Sequence, residues 1–135
     1  MMNPAHAQML QDIRSMVDRS GVQDFLDPYP FRDRPSHMYR CYCWAKRILP
    51  CRPEADAELT LVSTLFHDIG VIATTREKPK ADHDLLGGPI ARDYLLQNGY
   101  APAFADRVAS LGVQHQARER MQDPDTPIEL VILME

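Results

Sequence analysis

The chain has 135 residues, enough for one domain around one core, and its 44% apolar and 25% charged residues are the balance of an ordinary globular protein. A net charge of −4 gives no support to non-specific nucleic-acid binding, which needs a strongly basic face. No apolar run approaches the roughly 20 residues that span a bilayer, and "MMNPAHAQML" lacks the basic-then-apolar order of a signal peptide, so a cytoplasmic protein with no membrane partner is expected.

Helical spacing of apolar residues dominates. Residues 5–19 carry Leu10, Ile13, Met16 and Val17 on one face, which predicts a helix; His6 falls in its first turn, read as frayed and without a role. The stretch 24–35 contains three prolines and reads as an irregular loop. Ser36 suits an N-cap for a helix over about 37–49, closed by Pro50, with Cys41, Trp44, Ala45 and Ile48 as its apolar stripe. Pro53 suits the first position of the next helix, which Leu59, Leu61, Val62, Leu65 and Phe66 carry to His67 and Gly70 ends.

Residues 71–82 are polar and basic and read as a loop. A helix over about 83–98 turns Leu85, Leu86, Ile90, Ala91, Tyr94 and Leu95 inward and stops at Asn98-Gly99. Within it Gly87-Gly88 suits close helix packing, since no GxxxxGK[ST] phosphate loop is present. Another helix covers about 101–116, and "RERMQDPD" is a turn. Thr126-Pro127-Ile128-Glu129 makes a capping box for a last helix that is apolar nearly all round, hence buried. That helix breaks off at Glu135, so the natural protein is expected to continue.

No strand alternation is visible. The expected fold is all-α, a bundle of about five to seven helices, with residues 1–34 packing on a domain formed by 35–135. The three cysteines, Cys41, Cys43 and Cys51, include no CxxC pair and read as reduced, partly buried thiols.

Four histidines lie at the ends of predicted helices: His37 and His83 open one each, and His67 and His115 close one each. Taken singly, a histidine there is a cap or a surface residue. As a set they sit where separate helices converge, and imidazole and carboxylate are the ligands borderline divalent metals prefer. In "LFHDIG", His67 and Asp68 follow an apolar run, and burying both without a partner would cost free energy.

"SHMYRCYCWAKRIL", "LFHDIG", "DHDLLGGPIARDYL" and "LGVQHQ" together resemble the HD superfamily of metal-dependent phosphohydrolases, from about residue 35 onward. The resemblance implies an HD-type helical fold. It matches His37 to the first histidine of the signature and His67-Asp68 to its doublet. His83 and His115 resemble the added histidines of the subgroup that holds two metal ions, in which the doublet aspartate bridges them. The final aspartate of the signature has no match; it is expected just past Glu135, because Asp123 and Asp125 lie in the turn before the last helix.

These residues imply one or two divalent ions, with zinc, manganese, magnesium, iron and nickel not distinguished. A bound ion lowers the pKa of its water toward neutrality and neutralises phosphate charge, and Asp68 with His67 would orient that water. The expected function is hydrolysis of a nucleotide or small phosphate ester. Arg40, one helical turn from His37, and Lys78 and Lys80, between His67 and His83, are the candidate phosphate contacts. The same ligands would serve a di-iron oxygenase or a cyanamide-hydratase-like enzyme, and a degenerate site would serve a nucleotide-sensing module. The sequence leaves monomer and homodimer equally open.

Overall fold

Asn3 starts the first helix of the computed structural model, which describes residues 2–22, 34–73, 83–114 and 126–134. Its side-chain oxygen accepts from the Ala5 backbone N–H at 2.7 Å, and Pro4 fills the first turn of α1 (Pro4–Ser20). Gly21, at φ 70°, closes α1 in the left-handed conformation that glycine adopts without steric cost. Met9, Leu10, Ile13 and Val17 form its buried stripe, and His6 belongs to that stripe too. The frayed first turn expected there is therefore corrected: His6 is 2% exposed and held by side chains from two other helices.

Helix α2 (Arg34–Ile48) begins before the expected Ser36 cap, with Pro35 in its first turn, where a missing N–H leaves no acceptor unpaired. Met38, Tyr42 and Ala45 take the core. Trp44, read as part of the apolar stripe, is 62% exposed and carries the Arg47 guanidinium over its ring at 5.3 Å. At about 100° per residue, Trp44 lies well off the Met38–Ala45 line, on the flank that also carries His37, Cys41 and Ile48.

The next helix starts later than Pro53 suggests. Pro53 lies in a turn after the short 3-10 helix Leu49–Cys51, and α3 (Ala57–Phe66) opens at Asp56, whose carboxylate accepts from the Leu59 N–H at 3.0 Å. Leu59, Val62, Leu65 and Phe66 are at most 2% exposed, and Thr60 and Thr64 are also buried, each hydroxyl donating to the carbonyl four residues earlier at 2.8 Å. The chain then tightens into a second 3-10 helix, Ile69–Ala73, where a loop was expected to begin. Gly70 lies inside it and does not end α3 by a left-handed turn; among the described glycines, Gly21 and Gly99 are the ones with positive φ.

The Gly70 backbone is instead approached closely by another helix. A Cβ on Gly87 of α4 (His83–Gln97) would stand 3.1 Å from the Gly70 nitrogen, and one on Gly88 would meet Val113 Cγ2 of α5 (Pro102–Gln114) at 2.9 Å. The glycine pair thus lets α4 lie close against both neighbours, as its sequence suggested. Replacing Gly87 with valine is expected to push α4 off the turn after α3 and cost about 1–3 kcal/mol. A thermal melt checks this; an unchanged midpoint would mean that the contact is slack. Gly99 N–H donates to the Leu96 carbonyl at 3.3 Å and Tyr100 N–H to that of Leu95 at 3.0 Å, closing α4. Leu86, expected inward, is 37% exposed. Tyr94 packs against Phe66 with ring centroids 5.1 Å apart, and its hydroxyl donates to Asp12 of α1.

The last helix, α6 (Ile128–Met134), sets Leu130 and Ile132 against α3 and α2. Glu129 is buried, and its carboxylate reaches across to accept from the Asp56 N–H at 3.0 Å, with Arg107 Nη2 3.5 Å away. The fold is all-α: six α-helices and no strand among the described residues, within the expected range. No helix among them is long and apolar enough to cross a membrane.

Candidate metal centre

Two helices bring the candidate residues together. On α2, His37 and Cys41 stand one turn apart on the same flank. At the end of α3, His67 and Asp68 follow the last apolar turn and are 7% and 4% exposed. A helix C-terminus carries partial negative charge on its last carbonyls, so a positive group is favoured there.

His67 is held by one of those carbonyls. Its Nδ1 lies 2.6 Å from the Thr64 oxygen, which can only accept, so Nδ1 carries a proton and Nε2 is the atom left to face the centre. That pattern orients the imidazoles of many metal sites. Asp68 Oδ2 lies 3.4 Å from His37 Nε2 and 3.5 Å from His67 Nε2. The two imidazole rings are 5.3 Å apart and tilted by 60°. Cys41 Sγ lies 3.8 Å from His37 Nε2, and donor atoms of His37, Cys41 and His67 all fall within 4.8 Å of one another.

Tetrahedral bonds of about 2.1 Å to nitrogen and about 2.0 Å to oxygen set those two ligands about 3.4 Å apart. The Asp68 contacts with both imidazoles have that spacing. The residues fit a divalent ion.

Electrostatics points the same way. His37 is raised to about 9, first by the Asp68 carboxylate it donates to and then by Cys41. Burial pushes the Cys41 thiol up, but hydrogen bonds from His37 and His67 outweigh it and bring the thiol down to about 6. Burial favours neutral His67, yet Cys41 and Asp68 outweigh it and leave its pKa raised. Two acids thus draw positive charge onto two bases, and a divalent cation satisfies the same demand.

Of the residues singled out in the sequence, His37, His67 and Asp68 meet here. Arg40 is exposed on α2. The backbone of His83 opens α4, but its side chain, with His115, Lys78, Lys80, Asp123 and Asp125, lies outside the described residues. Cys41 is the member that the sequence reading passed over as an inert thiol. A cavity of about 280 Å³ opens beside it, lined by Cys41, Trp44, Ala45, Ile48, Thr64 and Ile132, among others.

The HD domain profile matches residues 34–135, which include the whole cluster. The chain belongs to the HD domain family. HD domains are in general metal-dependent hydrolases, and the spacing of His37, His67 and Asp68 agrees with a divalent ion in this one. No curated protein and no solved structure matches the chain.

Proposed function

We propose that this HD-domain protein is a phosphohydrolase acting on a nucleotide or another small phosphate ester through metal-activated water. The observation that carries the reading is the single carboxylate oxygen of Asp68 set against both imidazole Nε2 atoms, at 3.4 and 3.5 Å. His37, His67 and Asp68 would hold the ion; His83 and His115 are the candidates for a second one. When bound, such an ion supplies hydroxide near neutral pH and screens the phosphate's charge.

The chain's own residues account for the rest. Thr64 fixes the His67 ring through its carbonyl, so that Nε2 faces the centre in one tautomer. Asp68, held against both imidazoles, offers its second oxygen to orient the attacking water or take its proton. Arg40, Lys78 and Lys80 are the cations available to a phosphate. The protein would work as a monomer or homodimer in the cytoplasm.

Metal content of the purified protein, measured by elemental analysis, and release of phosphate from a panel of nucleotides and generic phosphoesters test this reading. The expected result is hydrolysis of at least one compound that stops on chelation and returns with added metal. Turnover that survives complete metal removal would overturn it, as would a metal-loaded protein inactive on the whole panel.

A further inference from the structure

We propose that Cys41 is itself a metal ligand, sharing an ion with His37 and His67, so that the centre carries a thiolate and selects zinc, cobalt or ferrous iron over magnesium and manganese. This rests on the reading of His37 and His67 as ligands of that ion; three protein donors leave the fourth position for Asp68 or for the water it orients.

The spacing and the distances carry it. Residues four apart on a helix share a face, and a pair so placed is a ready bidentate clamp for a small ion. Bonds of about 2.3 Å to sulfur and about 2.1 Å to nitrogen at tetrahedral angles separate the two donors by about 3.6 Å. Cys41 Sγ stands 3.8 Å from His37 Nε2. All three donor atoms lie within 4.8 Å of one another, close enough to share one ion. Cys43 and Cys51 join no such group among the described residues, so the arrangement belongs to this thiol.

The competing account makes Cys41 a wall of the adjacent cavity, which Ala45 and Ile48 also line. That account explains its half-burial, and a thiol–imidazole hydrogen bond explains the 3.8 Å contact with His37; cobalt titration separates such a bond from ligation. The two roles are compatible, because the side chain stands where the cavity meets the centre. A soft thiolate disfavours ions that prefer all-oxygen shells, whereas borderline ions accept sulfur, nitrogen and oxygen together. Ligation needs the deprotonated thiolate, so ion binding releases protons and strengthens as pH rises.

Cobalt(II) titration of the full chain tests this, in a C43S/C51S background that leaves Cys41 as its sole thiol. A near-ultraviolet sulfur-to-cobalt charge-transfer band is expected to grow to one equivalent. Adding C41S should abolish the band and weaken cobalt and zinc binding by about tenfold or more, with the helical circular dichroism retained. Should C41S fold poorly, alkylation of the parent's single thiol gives the answer without it: bound zinc is expected to protect Cys41, and a chelator to expose it. Cobalt bound with no thiolate band, or zinc bound with no protection, overturns the thiolate ligand and leaves the metal centre standing. If the parent takes up neither ion, the metal reading falls and this inference falls with it.

Discussion

Replacing Asp68 with alanine is expected to strip the centre of its ion, and with it all metal-dependent turnover, while leaving helical content near that of the parent. Asp68 is the carboxylate that touches both imidazoles, and it lies 4% exposed, where water gives little compensation for a lost charge. Removing it takes one unit of negative charge from beside a dication in a poorly hydrated site. Losing groups that merely support a ligand already costs 10–100-fold in metal affinity, so losing this oxygen is expected to cost on the order of 100-fold or more. The backbone does not need the side chain: the Asp68 carbonyl still accepts from the Val71 N–H at 3.1 Å, which holds the turn after α3.

A second readout is independent of any substrate. The Asp68 carboxylate is the main reason that His37 sits near 9 in the metal-free protein, so D68A is expected to bring His37 down toward its ordinary 6.5. Proton NMR of the imidazole follows that titration. Asp68→Asn keeps the shape and loses the charge, and should behave like alanine in metal uptake. A D68A protein that carries the parent's full complement of metal would refute the role given to this residue.

The middle and the faces of the helices were legible in the sequence because apolar spacing records burial directly. Ile13 and Val17 in α1, and Ala91 and Leu95 in α4, are core residues that their periodicity marks. The ends were less legible. Pro53 and Asp56 both suit a helix start, and Asp56 takes it. Its side chain caps Leu59, and its N–H is met by Glu129, a contact across 73 positions that no local pattern encodes. Gly70 looks like a stop signal on its own, yet it lies inside the second 3-10 helix, where Gly87 of another helix comes close to its backbone.

The same division runs through the centre. His67-Asp68 was legible because two polar residues at a buried helix end need an explanation. Cys41 was legible in principle, four residues after His37, but counting cysteines for a thiolate site hid a centre in which one sulfur joins two imidazoles. Trp44 misled for the opposite reason: it has the spacing of a stripe but sits on its edge, and a ring can remain exposed there beside Arg47.

His6 gave no sign of importance in the sequence, and its replacement by alanine is expected to be among the more destabilising changes outside the centre. Its Nε2 lies 3.0 and 3.1 Å from the two Glu58 oxygens, which only accept, so Nε2 donates. Nδ1 then accepts from the Tyr42 hydroxyl at 2.7 Å. Burial raises the Tyr42 pKa and keeps that phenol protonated as the donor. One neutral tautomer therefore satisfies every partner, and the imidazole edge also meets the Tyr42 ring at a centroid distance of 5.5 Å. Glu58 is half exposed and can turn to water, so its share of the cost is small. Tyr42 is 1% exposed and cannot. H6A leaves a cavity under α1 and an orphaned hydroxyl inside it, together worth about 2–4 kcal/mol, or on the order of 10 °C in Tm. Tyr42→Phe removes the orphan in advance, so H6A should cost less in that background, and the difference measures the hydrogen bond. Metal uptake should stay at the parent's level, since α1 lends no ligand to the cluster of α2 and α3. A melting temperature within about one degree of the parent's would mean that this buried link between three helices carries almost none of the fold's stability.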